Sequence, residues 1–449
     1  MKHLMLYLLS LLAVVIFNPI YAQVSDSIRK WSIEECFKYA AEHNIEINTL
    51  KLKELTSIQE VLAAKGSKIP SLSGSANNTF NNSKNEVSGN GNLENQLTSN
   101  GTYSVNSSII LWNDNYINNN IQQKDLLSQS ARLSIQQSQN NITLLITQSY
   151  LAILLAKENL KYLSDLVKTS EARVKQSQLF YDAGSIPKNN LLQLQAQLAS
   201  DNYLLVQTQN AIRQNILSLK QLLQLPTDTV FDIVTPLSIE IVVVMPSLHS
   251  VQQTAFQIFP EIKIGKLGVD IATLDIAKAK AGFKPVLSAN GSMGTGYSDV
   301  ITNSNFPKTG YFTQLDNNFY QRFGLNLSIP IFSNRINKTN LEKANIGYKQ
   351  ANLNLQNNQL VLSQEVEQAY LNATNAQQAY DAAKEQLSAA TETYRISNEQ
   401  FRLGGINSFD LLQQRNQYVQ AVQAFTQAKY TAVLQQKIYE FYMGNPIIL

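Results

Sequence analysis

The stretch YDAGSIPKNNLLQ at residues 181–193 has a near copy, FRLGGINSFDLLQ, at residues 401–413. In each copy an aromatic residue is followed three positions later by a glycine, and then by Leu-Leu-Gln. A glycine directly after a helical run is typical of the left-handed residue that ends a helix. Pro187 and Ser408 suit the start of the helix that follows. Each copy therefore predicts the tip of an antiparallel helical hairpin.

Long helices with a coiled-coil seam are predicted on both sides of each tip. Before the first tip, apolar and small residues recur at steps of three and four, namely Ile146, Ser149, Ile153, Ala156, Leu160, Leu163, Val167, Ser170, Val174, Ser177 and Tyr181. Before the second tip and after the first, the same steps continue, which indicates helices that pack along one seam. The predicted helices are 115–181 and 335–402, about 100 Å each, and the return helices 188–223 and 409–442.

The similarity between the two tips extends along the chain. SIEECFKYAAEHNIEI at 32–47 aligns with SLHSVQQTAFQIFPEI at 247–262, and IILWND at 109–114 aligns with IPIFSN at 329–334. Pro70 aligns with Pro285 in the same way. We therefore predict an internally duplicated protomer. Its parts are a first repeat at 23–226, a linker at 227–246 and a second repeat at 247–449.

Each repeat is predicted to begin with a helix and to continue with two strands. The first helices are 33–64, which opens with the capping box Ser32-x-x-Glu35, and 248–281. The strands are 71–80 and 102–112 in the first repeat, and 286–297 and 319–332 in the second. Their side chains alternate: Phe323 and Leu325 share one face in the second repeat, whereas Tyr320 and Arg322 share the other.

The chain begins with the features of a secretory signal peptide. Lys2 precedes an apolar run from Leu4 to Phe17, and Ala22 supplies a small residue for cleavage. We predict that residues 1–22 are removed and that the mature chain is exported. After them, no stretch reaches the roughly 18 apolar residues of a membrane helix.

Composition argues against nucleic-acid binding and catalysis. Charged residues make up 15% of the chain and the net charge is +3, so no nucleic-acid footprint is present. Cys36 is the single cysteine and is expected as a small buried side chain. His43 and His249 occupy unrelated places, and no metal-ligand spacing, phosphate loop or hydrolase motif occurs. We predict no enzyme activity and no cofactor.

The strands have about the 10–12 residues that cross a bilayer when tilted. Four strands cannot close a barrel, and an open sheet edge in lipid leaves backbone groups unpaired. The edges are therefore expected to meet other copies, and two, three or four copies would all give an even-numbered barrel. The alternative is an exported structural or adhesive helical stalk with a small soluble sheet.

Taken together, these features resemble the TolC-like outer membrane efflux protein family over essentially the whole mature chain. The resemblance is carried by the duplication, the strand pairs after Pro70 and Pro285, and the two tip sequences. It implies a homotrimer with a trimeric 12-stranded β-barrel in the outer membrane lipid and a 12-helix α-barrel through the periplasm. It also implies the passive channel of a tripartite efflux or type I secretion system, with a periplasmic adaptor protein and an inner membrane pump as partners.

The resemblance further implies roles for residues at the tips. Adaptor docking is expected at Gly184, Ser185, Ile186, Gly404, Gly405 and Ile406. The tunnel aperture is expected at Asp410, Gln413, Asn190 and Gln193. Gln413 and Asn190 stand where the family often has aspartates, and Ile406 and Phe401 replace its arginine and tyrosine latches. Three copies of Asp410 would form an acidic ring that weakly favours cations; alternatively, Asp410 only complements the helix dipole.

Further expectations concern the strands. Arg322 is expected to face the lumen, the alternative being a snorkelling residue at a sheet edge. The resemblance places Trp112 and Phe332 near the periplasmic boundary of the barrel, as interfacial aromatic residues. It places the polar loops 81–96 and 298–318 on the outside of the cell.

Overall fold

The fold is that of a computed structural model, which describes residues 30–86, 93–236, 245–301 and 309–449. The predicted signal peptide lies outside these ranges, as do parts of the linker and of both outer loops. The helices are α1 Ile33–His43, α2 Ile45–Gly66, α3 Tyr116–Asp182, α4 Lys188–Leu223, α5 Leu248–Ile258, α6 Pro260–Ala281, α7 Tyr311–Asn317, α8 Ile336–Arg402 and α9 Ser408–Tyr442. The strands are β1 Lys30–Trp31, β2 Ser71–Glu86, β3 Leu93–Trp112, β4 Asp232–Ile233, β5 Val286–Val300 and β6 Tyr320–Ser328.

Two long helical hairpins dominate the structure. The helices α3 and α8 each have 67 residues, and α4 and α9 return from them with 36 and 35 residues. The described residues with positive φ form pairs 220 positions apart, namely Asp114 and Asn334, Asn115 and Arg335, Gly184 and Gly404, and Gln224 and Gly444. The two halves therefore share their element order and also their unusual backbone conformations.

The helix predicted at 33–64 is wrong as a single helix, because it is broken at Asn44. Asn44 has an extended backbone with ψ 127°, and its side chain accepts hydrogen bonds from the N–H groups of Glu46 and Ile47 to cap α2. The capping box of Ser32 and Glu35 at α1 is confirmed. The helix predicted at 248–281 breaks at Pro260, because a residue before proline avoids the helical conformation.

A four-stranded antiparallel sheet has the order β2-β3-β5-β6. Its strands differ from the predicted ones: β2 and β3 continue into the predicted polar loop 81–96, with Glu86 paired to Leu93. The sequence signal failed there because polar residues on both faces give no alternation, although the backbone still pairs. The last strand ends at Ser328 rather than 332, just before Pro330, which has no N–H to donate.

The predicted loop 298–318 contains the short helix α7, which covers the edge of β5 beyond the end of β6. The backbone N–H of Ser298 donates to Oε1 of Gln314 at 2.9 Å, and Nδ2 of Asn318 donates to the carbonyl of Gly296 at 2.7 Å. These side chains supply the hydrogen bonds that a longer β6 would have supplied. Because such contacts join distant residues, polarity alone could not predict α7.

The largest core lies where the short helices, the long hairpins and the C-terminal segment meet. Cys36, Ile146 and Ile233 are fully buried in it, together with Ile447. The hydroxyl of Tyr150 donates to the carbonyl of Val234 at 2.8 Å. Cys36 is 0% exposed, so the prediction of a small buried side chain is confirmed, and this burial raises the pKa of its thiol to about 12.

Helix contacts define two arrays of four helices. Beside the sheet the order is α2-α3-α6-α8, and towards the tips it is α4-α3-α9-α8. Within the described ranges, no helix combines the length and apolar character needed to cross a membrane.

Candidate functional site: the hairpin tips and the polar face of the sheet

Both hairpin tips end their long helix in the same motif. The N–H of Ser185 donates to the carbonyl of Phe180 at 2.8 Å, and the N–H of Gly184 to that of Tyr181 at 2.9 Å. At the second tip the corresponding bonds run from Gly405 to Gln400 at 2.7 Å and from Gly404 to Phe401 at 3.0 Å.

Gly184 and Gly404 have φ of +73° and +78°. A side chain at that φ would be strained, so glycine is the residue this turn requires. The predicted helix-ending role of both glycines is confirmed. The remaining tip residues Ser185 and Gly405 are exposed, whereas Ile186 and Ile406 are half-buried.

The start of α9 differs in one respect from the prediction. Ser408 is the first residue of the helix and is buried, whereas the cap is Asn407, whose Oδ1 accepts from the N–H of Asp410 at 2.9 Å. The hydroxyl of Ser408 instead donates to Oε1 of Gln193 on α4 at 3.3 Å. The two tips are thus adjacent and joined by a side-chain hydrogen bond.

The four predicted aperture residues lie close to the tips but are not all brought together. Asp410 and Gln413 are exposed on the first turns of α9. Asn190 and Gln193 on α4 are half-buried, and Gln193 contacts the second tip through Ser408. The exposed carboxylate of Asp410 in the first turn of α9 fits both an aperture role and the helix-dipole alternative.

A buried ion pair joins the two hairpins further from the tips, and sequence reasoning missed it. Arg415 on α9 contacts the carboxylate of Asp201 on α4 at 2.5 Å, with side-chain exposures of 3% and 2%. The same carboxylate accepts from Ser170 on α3 at 2.6 Å and from Gln197 at 2.9 Å. Asp201 follows Leu191, Leu194 and Leu198 at the three-and-four spacing of the seam after the first tip. A charged residue at such a seam position was the sequence signal for a buried partner.

A second polar cluster lies beside this ion pair. Nη2 of Arg173 on α3 donates to the hydroxyl of Tyr394 at 2.9 Å and to Oδ1 of Asn398 at 2.8 Å, both on α8. The ring of Tyr162 on α3 makes an edge-on contact with that of Tyr418 on α9, with 6.3 Å between centroids. The two hairpins are therefore joined by polar and aromatic contacts as well as by apolar packing.

The register of the sheet assigns each side chain to one of two faces. One row across the sheet is Ser73, Asn106, Ser292 and Arg322, and the next row is Ser75, Ser104, Gly294 and Tyr320. The hydroxyls of Ser75 and Ser104 lie 2.8 Å apart, so both are on the same face. The opposite face carries mainly apolar side chains, among them Leu72, Val105, Ile109, Met293, Phe323, Leu325 and Leu327.

The guanidinium of Arg322 lies over the ring of Tyr320, with 4.7 Å from its carbon to the ring centroid. Both side chains are on the polar face of the edge strand β6. The aromatic residues Trp112 and Phe332 are exposed at 46% and 84%, between the strand ends and the starts of the long helices. In the part of the chain that the structure describes, no group of His, Cys, Asp and Glu could hold a metal ion.

Comparison with known proteins gives a consistent match. The sequence model of the family described as outer membrane efflux protein matches residues 252–438. The fold is similar to the CmeC outer membrane channel of Campylobacter jejuni, with TM-score 0.74 and 16% identity over 92% of this chain and 85% of that one. It is similar to the outer membrane protein VceC of Vibrio cholerae, with TM-score 0.75 and 14% identity over 92% and 96%.

A further similar structure is the open state of the MtrE outer membrane channel of Neisseria gonorrhoeae, with TM-score 0.73 and 17% identity over 92% and 88% of the two chains. None of the curated proteins matches the sequence. At these identities, the structural matches show a shared fold.

Proposed function

We propose that three copies of this chain assemble into one export conduit; the support is the match of the outer membrane efflux protein model to residues 252–438 and the fold shared with outer membrane channels. On this proposal the protein lies in the outer membrane, extends into the periplasm and serves efflux as a channel rather than as an enzyme. Each copy would supply four strands to a barrel and four helices to each level of a tunnel. Three copies would thereby give 12 of each.

The observation that carries this proposal is that one subunit has two open edges. The strand β2 and the helix α2 form one edge, and β6 and α8 form the other. Unpaired N–H and C=O groups at a sheet edge are not tolerated in lipid. A contact between unlike edges of successive copies pairs both of them and closes a ring.

Apolar side chains line these same edges. On α8, Ile346, Leu353 and Leu360 recur every seven residues and are 63%, 64% and 56% exposed. On α2, Leu55 and Leu62 have the same spacing and are 56% and 54% exposed. An apolar stripe of this length is the expected seam of a helix–helix contact. The two stripes support packing of α8 from one copy on α2 of the next.

The two faces of the sheet support its orientation in the ring. The face with Leu72, Val105, Phe323 and Leu325 would contact outer membrane lipid. The face with Ser73, Ser75 and Asn106 would line a water-filled lumen, and Arg322 would be lumenal. The predicted lumenal role of Arg322 is therefore kept as part of this proposal.

We place the partner proteins at the tips. The exposed turns around Gly184, Ser185, Gly404 and Gly405 are the parts of the hairpins furthest from the sheet, and with Ile186 and Ile406 they would dock a periplasmic adaptor. An inner membrane pump would energise a tripartite efflux or type I secretion system. The proposed aperture is Asp410 with Gln413, Asn190 and Gln193.

We also propose that the two repeats arose by duplication of one unit. The support is their equal element order, their long helices of equal length and the positive φ angles that recur 220 positions apart. The second repeat would then have gained α7, which has no counterpart among the described residues of the first.

Single-channel conductance of the detergent-extracted protein in a planar bilayer tests the conduit. Discrete, long-lived steps that are small because the tips are closed at rest are the expected result. Recovery of the protein as a water-soluble monomer with no insertion would overturn the proposal and favour the helical stalk.

The aperture role of Asp410 predicts a specific change in channel block. Replacing Asp410 by alanine removes an acidic ring from the trimer, so block by a divalent cation should weaken at least about fivefold. The fold should survive, because a first-turn carboxylate contributes only about 0.3–1 kcal/mol to its helix. Block by Mg²⁺ of single channels is the measurement.

Asp182 supplies a matched control for this variant, because it is an exposed carboxylate at the end of α3 beside the other tip. Asp182→Ala removes the same charge from the trimer and should leave block unchanged. If Mg²⁺ blocks wild type and Asp410→Ala equally, the aperture role of Asp410 is excluded. Its interaction with the helix dipole is then the one explanation that remains.

A further inference from the structure

We propose that Arg322 and Tyr320 form the charge-selecting element of the barrel and make its membrane end favour anionic cargo. The inference rests on the proposed conduit, since it needs the polar face of the sheet to line a lumen. It names a substrate class for that lumen, namely anions small enough to pass along the barrel wall.

The first argument is the isolation of this charge. In the rows from Ser71 to Asn77 and their partners on β3, β5 and β6, Arg322 is the one charged side chain on the polar face. Its neighbours in those rows are serine, asparagine, threonine, glycine and Tyr320. No carboxylate of the described residues forms an ion pair with Arg322. The positive charge is therefore not neutralised within the subunit.

The second argument is the position of the guanidinium. It lies 4.7 Å from the ring centroid of Tyr320, which is the neighbour two residues earlier on the same face. A cation over a tyrosine ring is held there by the ring quadrupole, which reduces the freedom of a long side chain. Gly324 and Gly294 flank the pair on this face, so no side chain covers it from those positions.

The threefold symmetry of the proposed trimer would bring three Arg322–Tyr320 pairs to the same level of the lumen, where together they would attract anions. In a trimer the three Arg322 side chains lie at one height of the barrel, because each is at the same register position. In water, a unit charge about 4 Å from a passing ion changes its local concentration about fivefold. The effect extends about 10 Å at 0.1 M salt and about 3 Å at 1 M, so selection for anions should be present in dilute salt and small in concentrated salt.

The test is the reversal potential of single channels in a KCl gradient, with K⁺ and Cl⁻ as the probes. Arg322→Gln should lower the ratio of chloride to potassium permeability about fivefold relative to wild type at 0.1 M salt, and the difference should shrink at 1 M. Arg322→Glu should shift the ratio further towards potassium. Tyr320→Leu should give a smaller shift in the same direction, since the guanidinium keeps its charge and loses its position.

Lys84→Gln is the matched control, because Lys84 is on β2 with its register placing it on the opposite face. That variant removes an equal charge and should keep the wild-type ratio. If Arg322→Gln conducts with the wild-type ratio, the inference is wrong although the conduit stands. If the wild-type protein is recovered as a water-soluble monomer and does not insert, the proposed function itself fails, and the inference fails with it.

Discussion

Replacing Arg415 by methionine should lower the free energy of unfolding by about 3–5 kcal/mol, because it leaves the carboxylate of Asp201 charged and buried without its partner. The pair is 2.5 Å apart and almost fully buried between α4 and α9. Thermal unfolding of the detergent-purified protein, followed by circular dichroism, should show a midpoint roughly 3–5 °C below that of wild type, because the unfolding entropy of a chain of this length is large. Asp201→Leu should be at least as damaging, since Arg415 would keep only Ser170 as a described partner.

Two comparisons separate the stability lost by breaking the buried ion pair from the stability lost by removing any charged side chain. Lys429→Met on the same helix removes an ion pair with Glu158 whose side chains are 24% and 36% exposed, so it should cost only about 0–1 kcal/mol. The double variant Asp201→Leu with Arg415→Met leaves no buried charge and should recover much of the lost stability. A midpoint for Arg415→Met equal to that for Lys429→Met would contradict the expected cost.

The helical hairpins could be predicted closely because their signals are local. The glycine at each tip has to adopt a left-handed conformation, and the seam residues repeat along one helix. Both kinds of signal are read from neighbours a few positions apart. The predicted helix at 188–223 accordingly has the bounds of α4.

The buried contacts of Arg415 could not be predicted in the same way. Its partner Asp201 is 214 positions away, and Ser170 is 245 positions away, so only the packing of α9 against α3 and α4 brings them together. The break at Asn44 is a different kind of failure. A local cap signal was present there, yet the continuous helical pattern on both sides outweighed it.

The residues of the candidate site also differ in whether a local sequence pattern could predict their positions. Sequence alternation placed Arg322 on the polar face, and the register of β5 and β6 agrees with that assignment. The contact between Gln193 and Ser408 depends on how the two hairpins pack, so no local sequence pattern could predict it. The role of Asp410 depends on other copies and stays a prediction.

Replacing Leu353 by aspartate should abolish the trimer. The side chain is 64% exposed in one subunit, and ring closure would bury it against α2 of the next copy. An unpaired carboxylate in an apolar seam costs several kcal/mol at each interface, and every 1.4 kcal/mol weakens association about tenfold. Size-exclusion chromatography with light scattering in detergent should show mainly monomer. Asn354→Asp is the control, because it adds the same charge at the neighbouring exposed position and should stay trimeric.

Mixing two variants tests whether the contact joins unlike edges. Leu55→Asp damages the α2 edge and leaves α8 intact, whereas Leu353→Asp does the reverse. A head-to-tail contact allows α8 of the first variant to pair with α2 of the second, so co-expression should give an open heterodimer whose two remaining edges are both damaged. A contact between like edges would instead let each variant dimerise alone through its intact edge. Homodimers of the separate variants would therefore refute ring closure by α2 and α8, because a ring of three needs unlike edges at every joint.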